Sequence, residues 1–283
     1  QAAAGEAVAE GLAELERRFP RLRRASHPVQ AAAVVIDPES GEVRALVGGR
    51  DYLRSPYDRA SVASRQAGSL FKPFVFLTAF AQPRREEGGF FTPVTRLEDE
   101  RLVIGGGRQQ WRRENYDREF RGEVTAREAL EQSLNVPTVR LAQELGLPAI
   151  VETARRLGIT SPLEEVPSLA LGTSEVTLLE ISGAYAALAA NGRARVPTFV
   201  RAVRGPAGES IRLDDPREAV EAAGAAATGP FSGVEEAPVF VTTSLLRGVI
   251  EDGTGRGARS AGVRGPVAGK SGTTDGYRDA WFV

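Results

Sequence analysis

Cysteine and methionine are absent from this 283-residue chain, and histidine occurs once, as His27. The lack of cysteine excludes thiol nucleophiles, disulfide bonds, zinc–thiolate clusters and iron–sulfur sites. One histidine is too few for a metal cluster, and no Gly-x-Ser-x-Gly turn accompanies it to indicate a Ser-His-Asp triad. We therefore expect His27 to be an ordinary surface or linker residue, and we expect no metal and no cofactor. If a serine is the nucleophile here, lysine is its expected base.

The chain also lacks an excess of either charge and any long apolar run. Its 36 basic and 37 acidic residues leave a net charge of −1, so nothing favours a nucleic acid partner. No stretch approaches the roughly 20 apolar residues of a membrane span, and there is no signal-peptide pattern. Because methionine is missing, we expect a piece of a longer protein, which leaves room for an anchor or signal outside it.

Periodicity and turn signals predict a mixed order of helices and strands. Residues 1–24 have helical spacing of apolar side chains, and residues 31–47 read as a β-hairpin. Thr125 and Thr177 each precede a glutamate by three residues, the pattern of a capping box. Other predicted elements are helices near 137–146, 148–158 and 239–250, a strand at 199–203, and a late hairpin from 267–273 and 279–283. Little regular structure is expected over 83–122, and 206–233 is expected to be a loop. The fold class is therefore α+β, with helices packed on a mostly antiparallel central sheet.

Ser69 and Lys72 stand three residues apart at the beginning of a strongly apolar segment, 73–81. Pro73 is tolerated only in the first turn of a helix, which places Ser69 at or next to the N-cap and Lys72 in the first turn. Burial and the positive end of the helix dipole both lower the pKa of a lysine amine. Residues three apart share a helix face. We therefore predict that Ser69 is a nucleophile and Lys72 its base, against the alternative of an N-cap serine beside a snorkelling lysine.

Ser133 and Asn135 lie between two predicted helices. They are either a turn that ends one helix and begins the next, or a hydroxyl and an amide directed into a cleft. In the second interpretation, Ser133 passes a proton and Asn135 hydrogen-bonds a substrate amide.

Residues 270–274 lie on a predicted strand that leads into a hairpin. Ser271 and Thr273 point to one face of that strand, and Gly272 permits the close approach of another backbone or a ligand. With the positive charge of Lys270 beside them, they suit a carboxylate. The nearby loop 253–257 has a Gly-x-Gly pattern that is common in plain loops. A phosphate-binding loop that ends at Lys270 and Ser271 would need its first glycine at position 264, which is arginine.

Ser-x-x-Lys, Ser-x-Asn and Lys-Ser/Thr-Gly in this order resemble the signature of penicillin-binding proteins and serine β-lactamases. Further segments resemble the transpeptidase domain of class A, bifunctional penicillin-binding proteins; they are residues 65–69, 114–117, 168–177, 272–275 and 279–283. The resemblance covers about residues 28–283. It implies a transpeptidase domain over 28–283, preceded by an N-terminal helix and linker over 1–27.

The resemblance implies acyl transfer on the D-Ala-D-Ala end of peptidoglycan stem peptides, through an acyl-enzyme on Ser69. It implies catalytic roles for Lys72, Ser133, Asn135 and Lys270, a carboxylate site at Ser271, Gly272, Thr273 and Thr274, and acylation by β-lactam antibiotics. It also implies a bacterial, extracytoplasmic (periplasmic) location, and a parent chain with a glycosyltransferase domain and a membrane anchor. Family members continue with further strands and a helix, so the C-terminal part of the fold is expected to be missing here.

Two departures from the β-lactamase pattern bear on the reaction. Leu134 stands where those enzymes have aspartate, and no glutamate lies in their Glu-x-x-Leu-Asn context. Efficient β-lactam hydrolysis is therefore not expected. The alternatives to a transpeptidase are a DD-carboxypeptidase or slow β-lactamase, and a β-lactam-sensing receptor domain that does not turn over.

Overall fold

The computed structural model describes residues 1–24, 28–82, 88–105, 111–211, 229–274, 276 and 278–283. Helices and antiparallel strand pairs alternate along the chain, which confirms the α+β class. The chain divides into two compact units. One comprises Gln1–Arg65, Arg156–Ser161 and Val176–Gly233, and the other comprises Gln66–Arg155, Pro162–Glu175 and Val234–Val283.

The first unit contains the N-terminal helix and the first hairpin. Helix α1 (Ala2–Arg18) is followed by a short 3₁₀ turn, and strands β1 (Ala33–Ile36) and β2 (Val43–Val47) pair antiparallel with Ala33 opposite Val47. Each of these predicted elements is present. The elements that begin in this unit are α1 (Ala2–Arg18), a 3₁₀ turn (Pro20–Arg24), β1 (Ala33–Ile36), β2 (Val43–Val47), β3 (Arg65–Gln66), α6 (Leu178–Ala189), β9 (Val203–Arg204) and β10 (Ser210–Ile211).

The second unit is built around one apolar helix. Its elements are a 3₁₀ turn (Gly68–Phe71), α2 (Lys72–Ala81), β4 (Arg96–Asp99), β5 (Leu102–Ile104), β6 (Trp111–Arg113), β7 (Gly122–Thr125), α3 (Ala126–Glu131), α4 (Val136–Leu145), α5 (Leu147–Arg156), a 3₁₀ turn (Pro167–Leu171), β8 (Glu175–Val176), α7 (Glu236–Glu251), α8 (Gly257–Ser260), β11 (Ser271–Thr273) and β12 (Ala280–Phe282). Residues 72–79 of α2 are all buried, and α3, α4 and α7 contact this helix. The hydrophobic core of the unit therefore lies around α2, whose first residue is Lys72.

Both predicted capping boxes are present. Thr125 Oγ1 accepts a hydrogen bond from the Glu128 amide at the beginning of α3, and Thr177 Oγ1 accepts one from the Glu180 amide at the beginning of α6. In each box the glutamate side chain also accepts the N–H of the threonine. Local side-chain chemistry therefore fixes both helix beginnings.

Two of the loop and strand predictions are wrong. The region 83–122 contains strands β4, β5 and β6 and the first residue of β7, in two antiparallel ladders. The strand predicted at 199–203 is formed only at its last residue, Val203. Strand β4 pairs with the distant β7, so the local pattern carries little signal for it. Strand β9 instead pairs locally with β10, Val203 opposite Ile211, and begins later than predicted.

Some predictions fall on residues outside the described ranges. These are His27, the part of the 206–233 loop over 212–228, and the turn residues Asp275 and Tyr277. Among the described helices, none combines the length and the apolar character that crossing a membrane requires.

Candidate active site

Ser69 lies in the 3₁₀ turn Gly68–Phe71, directly before α2. Helix α2 begins at Lys72, with Phe71 as its N-cap and Pro73 in its first turn. The predicted place of Lys72 is confirmed, whereas Ser69 precedes the N-cap by two residues and does not cap the helix. A serine in this turn has its hydroxyl free of helix capping, and it is half-buried at the wall of a cavity.

Gly68 holds this turn against strand β11. Its φ of +56° is in the left-handed region, and a Cβ built there would lie 2.8 Å from the Thr273 carbonyl oxygen. Its amide also donates to the Gly172 carbonyl at 3.0 Å. Gly272 approaches the same turn, because a Cβ there would lie 2.9 Å from the Ala67 carbonyl oxygen. Only glycine fits these contacts, and the predicted close approach at Gly272 is therefore to another backbone.

Lys72 is fully buried, and its amine contacts the corner between α3 and α4. Nζ donates to the Ser133 carbonyl, to the Leu134 carbonyl at 3.1 Å and to Asn135 Oδ1 at 2.8 Å. Burial, followed by repulsion from Lys270, holds the pKa of Lys72 well below its usual value. The three oxygen acceptors oppose this effect, since they favour the ammonium form. In the described part of the chain, no hydrogen bond joins this amine to Ser69 Oγ, so the predicted direct contact is not formed.

Lys270 is the second buried amine of the site. Its Nζ donates to Ser133 Oγ at 2.9 Å and to the Ser271 carbonyl at 3.0 Å. Burial lowers the pKa of Lys270 to about 7. Because Ser133 Oγ also lies 3.3 Å from the Lys72 amine, one hydroxyl bridges the two lysines. The amine of Lys270 therefore faces Ser133 as well as the strand on which a carboxylate was predicted to bind.

The corner that carries Ser133 has an unusual backbone. Ser133 adopts φ +56°, a left-handed conformation that costs a residue with a Cβ roughly 1 kcal/mol. Hydrogen bonds from the Ser133 amide to Leu130 O (3.1 Å) and from the Leu134 amide to Ala129 O (2.8 Å) hold it there. This turn directs the Ser133 and Leu134 carbonyls toward Lys72. Strain of this kind is typical of functional sites.

A cavity of about 590 Å³ opens over these groups. Six predicted site residues line it: Ser69, Ser133, Asn135, Ser271, Thr273 and Thr274. Among its described lining residues, the charged ones are Asp117 and Arg121, which form an ion pair at 2.5 Å. The wall is otherwise made of hydroxyls, amides and apolar groups.

The remaining predicted residues are buried or are engaged in hydrogen bonds with the rest of the protein. Lys72 and Lys270 lie beneath the cavity, and Gly272 lies behind its wall. The Thr274 hydroxyl accepts the Asp279 amide at 3.0 Å, so it closes the β11–β12 hairpin although Thr274 lines the cavity. The side chain of Asn135 is engaged with Lys72 and with the Glu114 carbonyl at 3.0 Å.

Sequence reasoning missed Thr254, whose hydroxyl accepts a hydrogen bond from Ser271 Oγ at 3.1 Å at the cavity wall. It lies in the loop that the sequence pattern assigned no role. A stronger signal was also missed. Lys72 and Lys270 are the two lysines of the chain, and every other basic residue is an arginine. Arginine does not deprotonate in proteins, so the amines able to act as bases are concentrated in this site.

The chain matches the model of the penicillin binding protein transpeptidase domain over residues 31–283. Penicillin-binding protein 1B of Vibrio cholerae is 35% identical over 269 residues, which cover 94% of this chain and 32% of that protein. Penicillin-binding protein 1A of Rickettsia conorii is 36% identical over 292 residues, covering 98% of this chain and 35% of that protein. The chain thus spans about a third of the length of these relatives.

A solved structure has the same fold. The PonA1 protein from Mycobacterium tuberculosis, in complex with penicillin V, superposes with a TM-score of 0.71 at 25% identity, covering 94% of this chain and 69% of that one. The family model matches most of the chain, and the fold agrees with it. The chain belongs to the penicillin-binding protein transpeptidase domain family.

Proposed function

We propose that this chain is the peptidoglycan DD-transpeptidase part of a class A penicillin-binding protein, and that its nucleophile is Ser69. The observation that carries the proposal is the cluster at the cavity floor, where Ser133 Oγ bridges two buried lysine amines beside the turn of Ser69. Burial lowers the pKa of both amines, which suits them to accept a proton near neutral pH.

In the proposed reaction, Lys72 in its neutral form takes the proton of the Ser69 hydroxyl. A bond then forms between Ser69 Oγ and the carbonyl carbon of the penultimate D-Ala. Collapse of the tetrahedral intermediate breaks the bond to the terminal D-Ala nitrogen, which leaves with a proton passed through Ser133. An amine of a second stem peptide attacks the ester and loses its proton to the same lysine pair. The bond between the acyl carbon and Ser69 Oγ then breaks, the serine regains a proton from the lysine pair, and the new amide bond cross-links the two strands.

The missing contact between Lys72 and Ser69 fits this scheme if substrate completes the arrangement. Catalytic hydrogen bonds are often long in the absence of substrate and tighten when it binds. Ser133 already contacts both amines, so it provides a path for the proton between them.

The oxyanion hole is proposed to be the backbone N–H groups of Ser69 and Thr273. The close contact of Gly68 with Thr273 supports this assignment, because it brings the two peptide segments together. A donor of this kind contributes about 3–4 kcal/mol to the transition state. The terminal carboxylate is assigned to the Ser271 and Thr273 hydroxyls, with Lys270 supplying positive charge to the extent that it is protonated.

The lining of the cavity argues against hydrolysis of the acyl-enzyme by a carboxylate-activated water. Asp117 is the acidic residue among the described lining residues, and its carboxylate is paired with Arg121. A carboxylate held in this way is a poor base for activating water. We place the domain outside the cytoplasm and assign the glycosyltransferase and membrane anchor to the rest of the parent chain, in keeping with the penicillin-binding proteins it resembles.

Fluorescent penicillin tests the nucleophile. Covalent labelling is expected for the wild type and is expected to be lost in Ser69→Ala, while Ser64→Ala, an exposed serine five residues earlier, retains it. Labelling that persists in Ser69→Ala would overturn the assignment. A donor peptide ending in D-Ala-D-Ala, incubated with an acceptor stem peptide, then tests the reaction. Cross-linked dimer is expected, whereas release of D-Ala without dimer would show a carboxypeptidase, and a stable acyl-enzyme with neither product would show a receptor domain.

A further inference from the structure

The beginning of α4 is capped from outside the helix. Asn135 is the N-cap residue, but its side chain makes no capping hydrogen bond, and its backbone is in the helical conformation. Asparagine is a preferred N-cap because its side chain accepts one of the helix's unpaired amides. Here the Oδ1 atom of that side chain accepts the Lys72 amine at 2.8 Å instead.

The missing acceptor comes from Asn115, twenty residues earlier in the chain. Its Oδ1 accepts the Asn135 amide at 2.8 Å and the Val136 amide at 3.3 Å. The next helix residue, Pro137, has no N–H. One buried side-chain oxygen therefore serves the first two amides of α4.

Asn115 is itself fixed by a buried carboxylate. Its Nδ2 donates to Asp99 Oδ1 at 2.6 Å, to Asp99 Oδ2 at 2.9 Å and to the Glu119 carbonyl at 2.8 Å. Asp99 is fully buried at the end of strand β4, where it pairs with Gly122 of β7. Its charge is balanced by the Arg121 amide at 3.1 Å and the Arg121 guanidinium at 3.7 Å.

The contacts form a continuous path from the β4–β7 ladder to the site, through Asp99, Asn115 and the Asn135 amide. We propose that Asn115 and Asp99 are positioning residues that hold the corner 133–135 against the Lys72 amine. This inference rests on the proposed function of that amine. Capping by Asn115 leaves the Asn135 side chain available to Lys72, which an ordinary N-cap asparagine could not offer.

The alternative is that the buried pair only stabilises the fold. A buried amide and carboxylate cost free energy when they lose their partners, so a loss of stability in their variants is expected under both interpretations. The two differ in what happens to Lys72 in the molecules that remain folded.

The two-lysine composition gives a direct measurement. With lysine labelled by ¹³C at Cε, the chain has two side-chain signals, and the Lys270→Met variant assigns the one from Lys72. The charge of Lys270 also lowers the pKa of Lys72. The ¹³C signal of Lys270 therefore shows whether a variant has changed the protonation of Lys270 and, through it, the titration of Lys72. In Asn115→Leu, which fills the space without admitting water, we expect the Lys72 signal to titrate at least half a pH unit lower. Its oxygen acceptors are then less well placed and stabilise the ammonium less.

The rate of acylation by fluorescent penicillin is the second measurement. We expect Asn115→Leu to lower the second-order rate constant 10- to 100-fold, since small displacements of a catalytic group have effects of this size. Asp99→Asn keeps the volume and one acceptor oxygen, and we expect a smaller loss, 3- to 10-fold, with a shift of the Lys72 titration in the same direction. It also serves as the test if Asn115→Leu does not fold.

Thr242→Val is the matched control. Thr242 is fully buried in α7, and its hydroxyl donates to the Pro238 carbonyl at 2.9 Å. Its loss is expected to reduce stability and the fraction of labelled protein, while the rate constant and the Lys72 titration stay at wild-type values. The proposal is overturned if Asn115→Leu and Asp99→Asn behave like this control, or if the Lys72 signal moves to higher pH.

Failure of the proposed function has a different signature. The wild type would then show no penicillin adduct on Ser69, whereas the Lys72 titration would still reveal whether Asn115 holds the corner. Both proposals would be contradicted if penicillin formed no adduct with the wild type and if Asn115→Leu left the titration of the Lys72 ¹³C signal unchanged.

Discussion

Helices α3 and α4 follow one another in the chain, and their first turns are capped in opposite ways. At α3 the cap is local, because Thr125 and Glu128 exchange side-chain and backbone hydrogen bonds within four residues. At α4 the cap is distant, because Asn115 supplies the acceptor and the N-cap side chain contacts Lys72. A local cap occupies the side chain that makes it. A cap that is supplied by a distant residue leaves the N-cap side chain available for another contact, here with Lys72.

The same contrast holds for burial. Thr125 is half-buried and Glu128 is exposed, so the α3 cap is in contact with solvent. Asn115 and Asp99 are buried, and Asp99 is a carboxylate that needs every one of its partners. Buried polar networks have a high cost when incomplete. The beginning of α3 is therefore determined by residues next to it in the sequence. The beginning of α4 depends on buried residues that lie further away in the sequence.

The Asn135→Ala substitution is the strongest way to break this comparison. We expect the acylation rate constant to fall about 100-fold, because Lys72 loses an acceptor that orients it. The free energy of unfolding is expected to fall by about 1–3 kcal/mol, from the lost bonds to the Glu114 carbonyl and the Lys72 amine, with no contribution from a cap, since this side chain caps nothing. Penicillin labelling kinetics and urea unfolding measure the two quantities. A large loss of stability with unchanged acylation would show that Asn135 is an ordinary N-cap.

A second prediction concerns the amines that the α4 corner serves. The pKa of Lys270 is about 7 in the folded protein, against 10.5 as its ordinary value. Between these two pH values the unfolded chain binds more protons, so the stability of the protein increases with pH. One lysine contributes at most about 1.4 kcal/mol per pH unit to this slope. The contribution ends below pH 7, where Lys270 is protonated in both states.

The Lys270→Met variant isolates this contribution. Urea unfolding at pH 7.5, 8.5 and 9.5 is expected to show a slope smaller than that of the wild type by about 1 kcal/mol per pH unit. Arg193→Met, at an exposed cation, is the control and is expected to keep the wild-type slope, because arginine does not titrate in this range. Equal slopes in the wild type and Lys270→Met would mean that Lys270 is not held as a neutral amine.

The sequence predicted the parts of the fold that depend on neighbouring residues. The capping boxes at Thr125 and Thr177, and the hairpin of β1 and β2, have signals within a few residues. Strand β4 does not, because its partner β7 lies more than twenty residues away. Its inward positions are Leu97 and Asp99, and a buried carboxylate at such a position breaks the alternation that would identify a strand.

The candidate site was predicted in part for a similar reason. Motif spacing was sufficient to select Ser69, Lys72, Ser133 and Lys270, which the fold places in one region. Their mutual contacts were not predictable. The Lys72 amine is held by acceptors of residues 133–135, which are distant in sequence, so its spacing of three from Ser69 does not produce a contact. The role of Asn115 depends on a fold in which residues 99, 115 and 135 meet.

Thr125→Ala is the smallest test and completes the comparison. Loss of the cap is expected to reduce the free energy of unfolding by about 1 kcal/mol, and Thr125→Ser is expected to restore most of it. The acylation rate constant of the folded protein is expected to stay within about twofold of wild type, because the α3 cap makes no contact with the lysines. Yet α3 ends two residues before Ser133, and the Leu134 amide donates to the Ala129 carbonyl within it. A tenfold fall in acylation would therefore show that both helix beginnings support the corner, and that the local cap is as much a part of the site as the distant one.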